Sequence, residues 1–177
     1  MIIFIKVEDI MKILIIGIVA SGKTTLAKQL AKKLKIKHYE IDNIVHDDLN
    51  NVKRTEQEQK EIINKINEQE DWIIEGTLRK NLDFLLDIAE KIIYIDIPLR
   101  KRKIRILTRF IKQKLGIEKC GYKPTINMLK QMYTWTDNYE KEREKREETI
   151  NKHKIKLIKI RNSKEWKECI NYEYNKT

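Results

Sequence analysis

The run Gly17-Ile18-Val19-Ala20-Ser21-Gly22-Lys23-Thr24 follows an apolar stretch, Lys12-Ile13-Leu14-Ile15-Ile16, and opens a helical one, Leu26-Ala27-Lys28-Gln29-Leu30-Ala31. This is the G-x-x-x-x-G-K-[ST] phosphate-binding pattern in the strand–turn–helix context that gives it meaning. Gly17 and Gly22 let the backbone bend until successive N–H groups face one anion. Lys23 is placed to reach the β- and γ-phosphates, and the Thr24 hydroxyl to ligate magnesium. The helix that starts near Lys23 adds its positive end beneath the phosphates. Gly17, Ala20, Ser21, Gly22, Lys23, Thr24 and Thr25 are therefore the expected nucleotide-binding residues, and the implied ligand is a nucleoside triphosphate.

Strands and helices alternate along the rest of the chain. Candidate strands are Lys12–Ile16, Lys37–Ile41, Trp72–Glu75, Ile92–Asp96 and Lys156–Ile160. Most are short and apolar, as strands buried on both faces of a parallel sheet should be. Candidate helices are Lys23–Leu34, Glu56–Glu70, Arg79–Ala89, Leu99–Leu115, Thr125–His153 and Lys164–Tyr172. The alternation argues for an α/β fold with a mostly parallel sheet and right-handed crossovers. At 177 residues, with five Gly, two Pro and no repeat, the chain reads as a single domain spanning 1–177. Residues 1–10 read either as an alternative start before Met11 or as an extra edge strand.

No apolar run approaches the roughly 20 residues that cross a bilayer, and no signal-peptide core is present, so no membrane partner is expected. Cys120 and Cys169 lack C-x-x-C spacing, and His38, His46 and His153 are scattered. A structural metal site is not indicated, and a reducing cytoplasmic setting fits.

The net charge of +11 is uneven: Ile97 to Lys130 holds eleven basic residues against one acid, Glu118. Such a segment either faces a polyphosphate or nucleic acid, or is a solvated face. Within Leu99–Leu115, Ile104, Leu107, Ile111 and Leu115 form an apolar stripe that should pack inward. Arg102, Arg105, Arg109 and Lys112 form a cationic one. Gly116 is the expected C-cap and Pro124 opens the next helix, which makes a hairpin able to close over a nucleotide. The mixed run Glu140–Glu148 reads as an exposed helix laced by i,i+4 pairs, with Arg143 and Arg146 toward solvent; the alternative is that one of them reaches inward toward phosphate.

Phosphoryl transfer asks for positioning, a metal and distributed positive charge. Arg105 and Arg109, one helical turn apart, are candidates to clamp the γ-phosphoryl beside Lys23. Glu75, at the end of a strand, lies on the rim where α/β sheets bind ligands. With Thr24 it is the candidate magnesium ligand, through water. Gly76 would admit substrate to the backbone and Arg79 would bind the acceptor; the alternative is a plain strand end followed by Thr77 as a helix N-cap. Asp42, expected at the end of the second strand, would take a proton from an acceptor hydroxyl or bind a ribose. Asp96 resembles a Walker-B acid or caps the next helix. Ile97-Pro98 stands where a motor-type ATPase would carry its glutamate.

On these motifs the chain resembles the nucleoside-monophosphate-kinase-like proteins. It is most similar to the adenylate-kinase-related family labelled DNA topology modulation protein. The resemblance runs from Met11 to Ile170. It rests on Lys12–Thr25, Ile41-Asp42, Trp72-Ile73-Ile74-Glu75-Gly76-Thr77-Leu78-Arg79, Ile92–Pro98 and Arg105-Ile106-Leu107-Thr108-Arg109. Glu75 stands where the family has aspartate and Leu78 where it has an aromatic residue. The resemblance implies ATP and Mg²⁺ and a three-layer P-loop NTPase fold with a five-stranded mostly parallel sheet. It also implies a helical acceptor-binding insert over about 43–70, and a short helical lid within about 99–149 whose tip lies near Leu115–Pro124. Arg161-Asn162-Ser163 matches the loop that borders the adenine. The expected activity is an ATP-dependent transfer of the γ-phosphoryl to a small acceptor, a nucleotide or nucleoside, by a monomer or weak dimer. The second reading is an ATP-binding regulatory protein that associates with nucleic acid through its basic segment. That segment has only Phe110 and Tyr122 as aromatics and no reading helix.

Overall fold

The computed structural model describes residues 11–47, 52–118 and 123–171. The first ten residues, Lys119, Cys120 and Tyr122 lie outside them. Five strands form one sheet: β1 (Lys12–Gly17), β2 (His38–Glu40), β5 (Trp72–Gly76), β6 (Lys91–Ile95) and β7 (Leu157–Ile160). Their order is β2-β5-β1-β6-β7 and every pairing is parallel. β1 is central, with Ile16 level with Gly76 on one side and Gly17 level with Ile95 on the other. The carboxyl ends of three strands therefore meet at the phosphate loop, on the rim where such sheets bind ligands.

Alternation along β1 divides the core. Leu14 and Ile16 join Trp72, Ile74, Ile92 and Tyr94 on one face. Ile13 and Ile15 join Ile73, Ile93 and Ile95 on the other, under α1 (Lys23–Leu34). Helices cover both faces, which gives three layers. The α1 boundaries equal the expected ones, and its last turn carries Lys32 and Lys33 as the helix dipole favours.

Four expectations are corrected. The second strand stops at Glu40, and Ile41–Val45 forms a short helix, α2, so Asp42 sits in a first helical turn and not on a strand end. Between Arg79 and Ala89 there is a 3₁₀ turn, Lys80–Leu82, and a single α-turn, α4 (Leu85–Ile88), not one helix. The stretch Thr125–His153 divides at Glu142 into α6 (Ile126–Lys141) and α7 (Arg143–Asn151). The insert is less purely helical than expected. It pairs β3 (His46–Asp47) with β4 (Val52–Lys53) before α3 (Glu56–Asn67), whose start is fixed by a Thr55/Glu58 capping box.

The largest departure concerns α5 (Leu99–Lys114). It packs against α6 as the hairpin expectation requires, and Gly116 follows it with φ +70°. Its rotation is the reverse of the expected one. Arg102, Ile106 and Gln113 are buried, whereas the stripe Ile104, Leu107, Ile111 and Leu115 is exposed. Arg102 is drawn in by an ion pair to Glu140 and by the face of the Tyr139 ring, 5.8 Å away.

Candidate active site

The phosphate loop takes its shape from close packing. A Cβ on Gly17 would lie 2.8 Å from the Ile95 carbonyl oxygen and 2.9 Å from Ser21 Oγ. Ala20 and Gly22 adopt positive φ, 59° and 105°. The Ser21 side chain is fully buried within the turn. At Gly22 the neighbour is Trp166, on α8 (Ser163–Asn171), whose ring would stand 2.9 Å from an added Cβ. Sequence reasoning missed Trp166, because nothing local in a terminal helix reports a contact with a loop at the other end of the chain. Gly22→Ala thus meets both a left-handed backbone and an occupied space. We expect it to lower stability by about 2 kcal/mol and to abolish nucleotide binding. Thermal melts and titration calorimetry with ATP read the two effects.

Lys23 donates from Nζ to the Ile18 carbonyl at 3.0 Å, folded back over its own loop. Burial holds its ammonium below the ordinary lysine value, with the Glu75 and Asp42 carboxylates opposing that shift. Thr24 donates its hydroxyl to Glu75 Oε1 at 2.5 Å. Thr25 faces solvent from the first turn of α1. Glu75 is almost wholly buried, and burial pushes its carboxyl above the usual carboxylate range against the Thr24 hydrogen bond and Lys23. The Thr24–Glu75 pair thus places two hard oxygen donors beside Lys23 at the base of the phosphate loop. That donor set fits magnesium. His38 and Glu40, which pair in register with β5, lie near as well: His38, Glu40 and Glu75 each bring a ligand atom within 4.8 Å of the others. The histidines are scattered in sequence, yet the fold carries one of them to this rim.

The lid arginines divide. Arg105 Nη1 donates to the Ser21 carbonyl at 3.1 Å, so α5 already touches the phosphate loop. Arg109 pairs with Glu118 at 2.9 Å and is close enough to depress the Lys23 ammonium. On the acceptor side, Arg79 Nη2 and Asp42 Oδ1 are 2.9 Å apart, which brings together two residues each assigned to the acceptor. Two other roles are corrected. The space a Gly76 side chain would fill is taken by Ile41, 2.5 Å from an added Cβ, so Gly76 serves the packing of α2 on β5. Thr77 caps no helix; its hydroxyl donates to the Gly17 carbonyl at 3.1 Å and ties β5 to the phosphate loop.

Asp96 lies just beyond β6 and is buried. Its carboxylate pairs with Arg143 and stands 3.6 Å from Arg161 Nε. Arg143 also pairs with Glu140 at 2.8 Å and with Glu147 at 3.0 Å. The i,i+4 lacing is present, but Arg143 reaches inward. Arg146 does too, stacked on the Tyr139 ring 3.1 Å from its centroid. These contacts accompany the break at Glu142: Arg143 is turned toward the end of β6 and Arg146 back onto α6. Arg161, assigned to the adenine border, here faces Asp96.

A parallel sheet in this order, with this loop at its central strand, defines the phosphate-loop nucleotide-binding class of α/β proteins. The sequence family described as an AAA domain matches residues 13–122, and the chain belongs to it. No curated protein matches by sequence. Among solved structures the fold is similar to shikimate kinase from Acinetobacter baumannii in complex with shikimate, with TM-score 0.55 and 12% identity over 95% of this chain and 97% of that one. It is also similar to deoxyadenosine kinase from M. mycoides with bound dATP, with TM-score 0.53 and 16% identity over 90% and 96%. A gluconokinase from Sinorhizobium meliloti 1021 gives TM-score 0.51 and 12% identity over 92% and 89%. At such identities the likeness is one of fold.

Proposed function

We propose that this protein is an ATP-dependent phosphotransferase that moves the γ-phosphoryl to a small acceptor, a nucleotide or nucleoside. One observation carries the reading. The Thr24–Glu75 pair, Lys23 and Arg105 converge on the phosphate loop, while the Asp42–Arg79 pair stands at the same rim, close enough to Lys23 for the Asp42 charge to be felt there.

The loop amides and Lys23 would hold the β- and γ-phosphates, with Arg105 and Arg109 adding positive charge where it develops. The Thr24 hydroxyl and, through water, Glu75 would hold magnesium, which would supply further neutralisation of the phosphate charge. Arg79 orients the acceptor. The acceptor oxygen bonds to the γ-phosphorus as the bond to the β–γ bridging oxygen breaks, and ADP leaves. A phosphate acceptor has no proton to lose; a hydroxyl acceptor passes its proton to Asp42.

A coupled ADP-release screen over nucleosides and their monophosphates, with shikimate and gluconate included, tests the class. Turnover with any of them supports it, and silence across the whole panel overturns it. Asp42→Asn then separates the acceptor types. With a hydroxyl acceptor kcat falls about 10²–10⁴-fold; with a phosphate acceptor the effect is confined mainly to KM.

A further inference from the structure

Helix α5 is built inside out. The arc it turns to the core carries Arg102, 1% exposed, with Ile106 and Gln113. The opposite arc carries Ile104, Leu107, Ile111 and, at the helix end, Leu115, which are 65%, 44%, 49% and 67% exposed. At 3.6 residues per turn these four fall within an arc about 80° wide, opposite the buried arc of Arg102, Ile106 and Gln113. Lys101 and Lys112 border this ridge on one side and Lys114 on the other, where Lys103 is paired with Asp137 of α6 at 2.7 Å. The whole helix holds eight basic residues and no acidic one. A row of aliphatic side chains set in water between two rows of cations is a surface made for a partner.

Three partners are disfavoured by what surrounds the ridge. A second copy of this chain would set the lysines that line the ridge, Lys101, Lys112 and Lys114, against their own counterparts, since Arg102, Lys103 and Arg109 are already matched by Glu140, Asp137 and Glu118. A protein groove that wraps a helix needs its flanks, and one flank of α5 is held by α6, where Tyr133 donates to the Lys103 carbonyl at 3.2 Å. Nucleic acid would take the cations and leave the ridge wet. A flat anionic lipid leaflet needs only the outward arc. It lets the aliphatic row enter the headgroup boundary while the lysines extend to the phosphates. We propose that α5 docks this protein on an anionic lipid surface. The expectation of no membrane partner rests on spanning segments. Among the described residues no helix is long and apolar enough to cross a membrane, and a helix lying on the surface needs no such length. Arg105 of the same helix donates to the Ser21 carbonyl, so the helix that carries the docking face touches the phosphate loop.

The test is flotation of the full chain with vesicles of phosphatidylcholine and of an equal phosphatidylcholine–phosphatidylglycerol mixture, at low and high salt. The triple variant Ile104→Ser, Leu107→Ser, Ile111→Ser is run beside it, together with its far-UV melt. All three positions are exposed, so the melt should be unchanged. We expect at least tenfold stronger partitioning onto the anionic vesicles than onto the neutral ones, weakened by salt and lowered at least tenfold in the serine variant. No partitioning at low salt overturns the proposal. So does equal binding by the serine variant, which would leave charge alone as the cause. A dimer in sedimentation that the serine variant dissolves would make the ridge a self-interface, and tight, salt-sensitive binding to DNA with vesicles ignored would make it a nucleic-acid face; either overturns it.

Discussion

Lys23→Met is expected to lower phosphoryl transfer at least about a thousandfold while the protein stays folded, with a melting temperature within a few degrees of the parent. Methionine keeps the apolar length of the side chain. It removes a charge that burial disfavours, since desolvation is the largest influence on the Lys23 ammonium. The opposing loss is the hydrogen bond to the Ile18 carbonyl, worth about 1 kcal/mol. The two effects nearly offset each other in the fold, whereas nothing replaces the charge on the phosphates. A second readout is pH. A depressed lysine sheds its proton at lower pH than a surface one, and a bound triphosphate draws that proton back. ATP affinity should therefore weaken as pH rises through the Lys23 value, with proton uptake on binding, and the methionine variant should lack that limb. Calorimetry in buffers of different ionisation enthalpy counts the protons. Retained turnover, or an identical pH limb in the variant, would remove Lys23 from the phosphate site.

How much of this site could be read from residues alone follows the range over which each signal acts. The phosphate loop and α1 were legible because glycine spacing, an apolar strand and a helical period lie within one short window. The sheet was legible for the same reason: buried parallel strands announce themselves as apolar runs. Asp42 and Arg79 were both assigned to the acceptor, but neither their ion pair nor the placement of Asp42 was read. A five-residue helix such as α2 is too short to show a period. Failures gather where tertiary contacts override local pattern. Ile104, Leu107, Ile111 and Leu115 have the spacing of a core stripe, yet Glu140 and Tyr139 draw Arg102 inward and turn the stripe to solvent. Asp96 does the same to Arg143 and so divides a continuous helical pattern at Glu142. Trp166 against Gly22 joins segments whose proximity no local pattern encodes. In each case the missed fact is a contact between residues distant in the chain, which no local pattern carries.

Glu75→Gln should move activity and stability in opposite directions. Glu75 is 3% exposed, and burial raises its carboxyl above the usual range although the Thr24 hydroxyl and Lys23 both favour the ionised form. The ionised side chain is therefore a net burden on the fold at neutral pH. The sign follows from proton linkage. A carboxyl raised in the folded state binds protons more tightly there than in the unfolded chain, so stability falls as pH climbs from the unfolded value through the folded one. Glutamine keeps the shape and an oxygen to accept the Thr24 hydrogen bond, but it has no such fall. The variant should match the parent at low pH and exceed it above the Glu75 value. Turnover should drop about a hundredfold, and the magnesium concentration for half-activity should rise, because the carboxylate that would hold the metal's water is gone. Melts across pH and ADP release against magnesium test both halves. A variant less stable at pH 8, or one with an unchanged magnesium requirement, would show that this buried carboxylate serves the fold and not the phosphate site.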